Sequence, residues 1–442
     1  MPKRQPTSQR KLNVLLSNGR FPVTLDLARQ LRTAGHKVFV ADCMHYHVCK
    51  FSNVVTRSFH TPSPREDAEG YVAGIVDAIR NANIDIVIPM HEEILYLAEV
   101  AQSNDLLRSR LLAPPFQTLV MLHNKWEFSR FLTQNGLGVP NTVLCRNYED
   151  VQALDKSIEW ALKPGYGRAS MSVFHLRPGK PLPAPDEIGI SEDVHYVAQE
   201  WTPGQRYCTY SVLQSGKVTA LGAYPVKDTI DVHMLVTPAL FLGSSCVYFE
   251  VIEKPEIRAF VDRLAAHLPG VSGQFALDLV ERQDGVFVAI ECNPRATSGI
   301  HLFSGTSRLA LALTCRLPSD NLPVDDMPDH VGPPKRAKRK VAPGMLMWKR
   351  SNEDGSTKAI VKEYMGHMKR LVASRDVIWS WRDLMPSIMQ PFLLTSYDEI
   401  YREKGLELPT MFQYDLVWEP RIEHLRECNA VEGNTIETFR AM

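Results

Sequence analysis

The sequence predicts a mixed α/β and α+β chain: an open parallel sheet near the N-terminus, an antiparallel region behind it, and a small C-terminal unit. Three observations carry this. Apolar strand patterns alternate with helical ones over residues 10–115. From residue 159 onward, strand patterns follow one another through turn residues instead. Residues 316–345 are then so rich in proline and charge that they read as a linker.

In chain order, "KLNVLLSNGR" is a buried strand ending in Asn18-Gly19. "VTLDLARQLRTAGH" places Leu27, Ala28 and Leu31 at helical spacing, with Gly35 as its stop signal. "KVFVAD" is a second strand and "IDIVIP" a third, with "YVAGIVDAIRNAN" a helix between them. Such alternation builds a parallel sheet over residues 10–115. The helical "FQTLVMLHNKWEFSRFLTQNG" opens the second region, residues 116–315. There "EWALKPGYGRASMSVFHL" reads as a hairpin and "IRAFVDRLAAHL" as an amphipathic helix. "HYVAQEWTPGQRYCTYSVLQSGKVTALGAYPV" reads as strands joined by turns. "GQFALDLVERQDGVFVAIECN" is two strands about an Asp284-Gly285 turn. Residues 346–442, with helical stretches and several aromatics, make the expected C-terminal unit.

Composition narrows the function classes. The 442 residues are 44% hydrophobic and 23% charged, ordinary for a globular chain with a large core. Lys+Arg and Asp+Glu are both 50, so a nucleic-acid partner is not expected. Eight cysteines at irregular spacing, without a CxxC pair, read as reduced thiols of a cytoplasmic protein. The basic, polar start "MPKRQPTSQRK" does not look like a signal peptide, and no run of about 18 apolar residues predicts a membrane span. "KRAKRK" reads as a solvated basic loop, with a nuclear-import or phosphate-binding patch as the sharper alternative.

The chemistry concentrates in "VAIECNPRATSGIH". Glu291, Asn293 and Arg295 alternate at a strand end, so their side chains share a face. Asp278 in "FALDLV" faces Glu291 if the Asp284-Gly285 turn pairs the two strands. Two carboxylates and an amide oxygen make a site for a hard cation such as Mg²⁺; a solvated sheet edge is the plainer alternative. Lys163 lies in the strand "WALKP" just before "GYGRAS", a setting that suits a phosphate or a snorkelling lysine. Lys125 in "LHNKWEF" is a second phosphate candidate or a helix-surface lysine. "VAQEWTPGQRY" can offer main-chain groups to a planar ring, or bury Trp201 as core.

In this order the pieces resemble the ATP-grasp superfamily of carboxylate–amine ligases: Lys125, "ALKPGYG", "VAQEWTPGQ", "FALDLV", then "AIECNPR". The resemblance spans residues 12–310 and implies an ATP-grasp fold, with an N-terminal pre-ATP-grasp domain before the central one. It implies that Lys125 and Lys163 bind ATP phosphates, and that Gln199, Glu200, Trp201 and Thr202 hold adenine, largely by main-chain groups. Asp278, Glu291 and Asn293 would ligate Mg²⁺ or Mn²⁺, and Arg295 would steady the transferred phosphoryl group, with Arg295 and Lys163 as the catalytic residues. The implied substrates are a small-molecule carboxylate and the amine of an amino acid, joined through an acyl phosphate with release of ADP and phosphate. Gly19, His91, Glu92, Ser298 and His301 are the substrate candidates, and a homodimer is common among such relatives.

Three departures stand out. "GYGRASMS" is less glycine-rich than the phosphate-covering loop of many members. Arg206 follows "PGQ" where relatives usually have a ribose-contacting Glu. The last hundred residues match no common tail. Within the superfamily, "LARQLRTAGHKVFVADCMHYHVCKFSNVVTRSFHTPSPREDAEGYVAGI", "YCTYSV" and "AIECNPRATSGIHLF" resemble mycosporine-glycine synthases, which join an amino acid to a cyclohexenone; Glu92 and Glu93 depart from them. Two further readings are a nucleotide-binding protein without catalysis and a Rossmann-type oxidoreductase. "SNGRFP" lacks the GxGxxG spacing of the latter.

Overall fold

The computed structural model describes residues 10–167, 173–191, 194–231, 244–319, 330–341, 356–405, 415–418 and 420. The chain forms two compact units. The first comprises Met1–Ala113, Phe303–Asp329 and Ile378–Leu416; the second comprises Pro114–Leu302, His330–Val377 and Val417–Met442.

The first unit holds a four-stranded parallel sheet. Its strands are β1 (Asn13–Ser17), β2 (Lys37–Asp42), β3 (Val55–His60) and β4 (Ile86–Ile88), in the order β3-β2-β1-β4. Leu16 aligns with Val40 on one side and Ile88 on the other. The inner strands are unbroken apolar runs because helices cover both faces of such a sheet. β3 is an edge strand with a half-exposed, polar sequence, VTRSFH, and so carries no apolar signal to read. The helix Pro22–Thr33 starts on proline and buries Leu25, Ala28 and Leu31. The helix Ala68–Ala82 is capped by Asp67, whose carboxylate accepts the Gly70 N–H at 2.8 Å.

The two four-stranded sheets of the second unit are antiparallel, as the sequence reading expects of this region. β5 (Thr142–Cys145), β6 (Trp160–Pro164), β7 (Phe174–Leu176) and β8 (Tyr196–Glu200) pair in the order β5-β8-β6-β7. The larger sheet runs β10-β9-β14-β15, from β9 (Gln205–Gln214), β10 (Lys217–Pro225), β14 (Gly273–Glu281) and β15 (Phe287–Asn293). Its apolar face packs Phe275, Leu277 and Leu279 onto Ile257, Val261 and Leu264 of the helix Pro255–Ala266. β11 (Thr229–Asp231) and β12 (Ser244–Cys246) form a small ribbon; β13 (Tyr248–Glu250), β16 (Lys338–Lys340) and β17 (Arg375–Asp376) form a third sheet.

The C-terminal segment is divided differently from the sequence reading. Residues 378–416 join the first unit, where Asp383 pairs with Arg29 at 2.9 Å and Asp415 with Arg20 at 2.9 Å. The stretch up to Val377 joins the second, where Arg370 pairs with Asp228 at 2.6 Å. The proline-rich 316–345 segment also contains a strand. Within "KRAKRK", Lys338 pairs with Glu250 at 3.1 Å, and Lys340 Nζ donates to the carbonyls of Leu371 and Ser374 at the end of the helix Thr357–Ala373. A cation there caps a helix C-terminus. Among the described residues, no helix is long and apolar enough to cross a membrane.

Candidate active site

The β14–β15 hairpin turns at Asp284-Gly285, where Gly285 takes φ +79°, a conformation glycine reaches without strain. In its register Asp278 stands opposite Glu291, and Ala276 opposite Asn293. Opposed residues and alternate residues share a face, so Asp278, Glu291 and Asn293 leave the sheet together, away from the Phe275–Leu277–Leu279 core. Past Asp278 the register slips: Leu279 pairs with Ala289, and Ile290 is the extra residue of a β-bulge.

That bulge meets Lys163, whose Nζ donates to the Ile290 carbonyl at 3.0 Å and to Gln199 Oε1 at 2.9 Å. On β6, Trp160 and Leu162 point into the core, which turns Lys163 to the opposite face. Gln199 is its diagonal neighbour on β8, since Ala161 pairs with Gln199 and Lys163 with Val197. Lys163 thus ties the two sheets together while only 6% exposed. Burial pushes its ammonium down to about 8, against the attraction of Glu291.

Lys125 opens the helix Lys125–Gln134, which Asn124 caps by accepting the Trp126 and Glu127 N–H groups. It is buried rather than on a helix surface. Its N–H donates to the Gly165 carbonyl at 3.0 Å and its Nζ to the Gly167 carbonyl at 3.0 Å, so it is tied at both ends to "GYG". The remainder of that loop, residues 168–172, lies outside the described residues. Arg295 is buried; Nη2 donates to Asn293 Oδ1 at 2.9 Å and Nη1 to the Ala296 carbonyl at 3.2 Å.

These charges oppose one another. Burial pushes the Glu291 carboxyl up, but Lys125, Lys163, His123 and Arg295 outweigh it and hold the group below the usual carboxylate range. Asp278 goes the other way, raised by burial and by the Glu291 charge. Two carboxylates and an amide form an all-oxygen donor set, and a divalent cation relieves the repulsion that raises Asp278. Among the described residues, no group of three or more His, Cys, Asp or Glu gathers as a metal site. A set of two carboxylates and an amide suits a cation that completes its shell with water and phosphate oxygens.

Sequence reading missed Cys208. It stands opposite Asp278 in the β9–β14 register, and its Sγ donates to Asp278 Oδ1 at 3.0 Å. Tyr224, Cys208, Asp278 and Glu291 form one row across four strands. No local signal marks it, because the β9–β14 pairing joins residues 70 positions apart.

Of the adenine candidates, Gln199 holds Lys163 and Glu200 is exposed. The Glu200 and Trp201 N–H groups donate within the protein, to the Asn141 and Glu159 carbonyls, each at 2.8 Å. The Trp201 ring stacks on His175 with centroids 3.9 Å apart, and Thr202 Oγ1 donates to the Glu200 carbonyl at 3.3 Å. Ser298 begins a 3₁₀ turn, Ser298–Phe303, in which His301 is buried 5.3 Å from the Phe249 ring.

Gly19, His91 and Glu92 lie in the first unit. Gly19 is a packing glycine: a Cβ there would come within 2.4 Å of His47 Nδ1 and 2.6 Å of Val40 Cγ1. Gly19→Ala is accordingly expected to lose on the order of 1–3 kcal/mol, read as a lower urea midpoint at unchanged slope. His91 and Glu92 are both buried, with the His91 ring 4.0 Å from Phe21. The acid that bonds to β1 is the next residue, Glu93, which accepts from Ser17 Oγ.

Residues 122–299 match the protein family described as ATP-grasp domain. Comparison with curated protein sequences finds no match. Among solved structures, the chain is similar to an L-amino acid ligase from Bacillus licheniformis (18% identity, TM-score 0.53, 72% of this chain and 79% of that one). It is also similar to an N5-carboxyaminoimidazole synthetase from Staphylococcus aureus (14%, 0.51, 70% and 79%). A third likeness is to the biotin carboxylase domain of a 2-oxoglutarate carboxylase from Hydrogenobacter thermophilus, in complex with MgADP (12%, 0.53, 72% and 73%). The fold is thus a central ATP-grasp domain combined with an N-terminal parallel-sheet unit, and the likeness to these structures is one of fold.

Proposed function

We propose that this chain is an ATP-dependent ligase that phosphorylates a carboxylate and joins it to an amine, the amine most simply that of an amino acid. The observation that carries the reading is Lys163: a buried ammonium fixed between Gln199 and the Ile290 bulge, beside the facing carboxylates of Asp278 and Glu291. A fold alone needs no such arrangement. Transfer of a phosphoryl group does, because it depends on positioned cations rather than on a nucleophilic side chain.

In this reading Asp278, Glu291 and Asn293 hold Mg²⁺ or Mn²⁺, which supplies charge neutralisation at the phosphate oxygens. Lys125 and Lys163 bind the phosphates of ATP. Main-chain groups of Gln199–Thr202 face adenine in this reading. The substrate's carboxylate oxygen attacks the γ-phosphorus and ADP leaves. The amine nitrogen then attacks the acyl carbon, and phosphate leaves with that oxygen. Arg295 steadies the transferred group and Ser298 and His301 border the acceptor. A homodimer in the cytoplasm belongs to the same reading. The narrower likeness to mycosporine-glycine synthases, carried by "YCTYSV" and "AIECNPRATSGIHLF", would put an enolic cyclohexenone oxygen in place of the carboxylate.

Incubation with Mg²⁺-ATP and pools of carboxylates and amino acids tests the reading. ADP and phosphate that require both substrates support it; AMP and pyrophosphate contradict it. A pH series tests Lys163. Its ammonium is present below about 8 and lost above, so ATP affinity should weaken about fivefold between pH 8 and pH 9. Lys163→Arg, which does not titrate there, should give a flat profile; equal slopes would remove Lys163 from the phosphate site.

A further inference from the structure

A residue from the far end of the chain packs against the loop that holds Lys125. Trp418 is 3% exposed. Its ring stands edge-on to Tyr166, with centroids 5.7 Å apart, and edge-on to Phe116 at 6.1 Å. All three residues belong to the second unit. Edge-to-face packing at such distances is a favoured aromatic geometry, so each pair fixes the angle of a ring as well as burying it.

Phe116 and Tyr166 lie on the two elements that set Lys125. Phe116 opens the helix Phe116–His123, and Asn124 joins that helix to the one Lys125 begins. Tyr166 is the middle residue of Gly165–Gly167. The Gly165 carbonyl accepts the Lys125 N–H and the Gly167 carbonyl accepts its Nζ, each at 3.0 Å. His123 also meets Tyr166, with ring centroids 6.0 Å apart.

Glycines give this loop little shape of its own. Gly167 cannot be exchanged, since a Cβ there would come within 2.7 Å of Pro164 Cγ. The Tyr166 ring is thus the one side chain by which Gly165–Gly167 can be gripped. The rings around it decide where the Gly167 carbonyl stands, and that carbonyl decides where the Lys125 ammonium stands. A binding group displaced by about 1 Å loses much of its effect on the reacting group.

We propose that Trp418 is a positioning residue: packed against Phe116 and Tyr166, it holds Gly165–Gly167 where the Gly167 carbonyl aims the Lys125 ammonium at a nucleotide phosphate. This rests on the ligase reading for the role of Lys125, and it adds the C-terminal segment to nucleotide binding.

Titration of the full-length protein with a fluorescent ATP analogue tests it. Trp418→Leu should weaken binding about tenfold, and Tyr166→Leu should do the same. Trp418→Phe, which keeps an aromatic edge, should bind within about threefold of the wild type. The double variant Trp418→Leu, Tyr166→Leu should lose little more than either single one, because both remove the same contact; independent damage would multiply to about a hundredfold. Intrinsic fluorescence is a second measurement, and it decides if Trp418→Leu lacks a native circular-dichroism spectrum. Mg²⁺-ATP should change the tryptophan emission of the wild type, and part of that change should vanish in Trp418→Phe. Unaltered affinity in folded Trp418→Leu, multiplied losses in the double variant, or an emission change that Trp418→Phe keeps in full would overturn the proposal. Coupled losses of affinity without ATP turnover on any carboxylate and amine would contradict the ligase reading alone. Turnover to the expected products, with ATP affinity unaltered in Trp418→Leu, would contradict the role of Trp418 alone. No binding of the analogue by the wild type would contradict both.

Discussion

Glu291→Gln is expected to lower ADP formation about 10³-fold, equivalent to ~4 kcal/mol of transition-state stabilisation. The substitution keeps shape but removes the carboxylate around which the site's charges are arranged. Lys125, Lys163, His123 and Arg295 all act to keep Glu291 ionised. Without that charge two groups respond in stated directions. Asp278, raised by burial and by Glu291, moves back toward the ordinary carboxylate range. Lys163 loses the first of the charges that support its ammonium and falls further, so the fall in ATP affinity moves to lower pH. Steady-state kinetics with a Mg²⁺ titration, and nucleotide binding against pH, measure both. A loss below tenfold, with an unmoved pH profile, would remove Glu291 from the metal site.

Arg20→Ala should be the most damaging single change to the first unit. Arg20 and Asp42 are 1% and 0% exposed at their side chains, bonded at 2.6 Å, and Asp415 closes the triad. Removing one member of a buried ion pair costs about 3–5 kcal/mol, because the remaining charge is stranded; here two carboxylates are. The expected drop in Tm is roughly 10 °C. The acid side of the stability profile supplies the sign. Burial raises Asp42, but Arg20 outweighs it and the carboxyl titrates below its unfolded value. Its stabilising contribution is therefore present above the ordinary carboxylate pKa and is lost as pH falls through the depressed one. In Arg20→Ala the depression disappears, and acidification should destabilise less than in the wild type. The triple change Arg20→Leu, Asp42→Asn, Asp415→Asn should regain much of the loss, since it strands no charge. Calorimetry of the three proteins between pH 4 and pH 7 checks both statements.

The site's legibility in sequence follows the range of the interactions that build it. Asp278 opposite Glu291 could be read because one short turn, Asp284-Gly285, sets the register of both strands. The lysines could be read as polar residues out of place in apolar or capped segments. What could not be read depends on strands brought together from afar. Ile290 looks like an ordinary core residue in "VAIECN"; only the bulge makes its carbonyl a partner for Lys163. The Gln199 side chain orients Lys163, a diagonal contact that needs the β6–β8 register. Cys208 needs the β9–β14 register in the same way. In the first unit, β3 is hidden by its polar edge sequence, and Glu93 rather than Glu92 faces β1 because the chain enters the helix Glu93–Ala101 just there. The C-terminal segment reads as a unit of its own because charge pairs such as Arg20 with Asp415, 395 residues apart, leave no pattern along the chain.

Phosphorylation of a substrate carboxylate in the site proposed around Lys163, Asp278 and Glu291 leaves an isotopic trace. With a carboxylate substrate labelled with ¹⁸O in both oxygens, unlabelled ATP and the amine, inorganic phosphate should carry one ¹⁸O per turnover, with ADP as the only nucleotide product. Unlabelled phosphate, or label recovered in AMP, would contradict it.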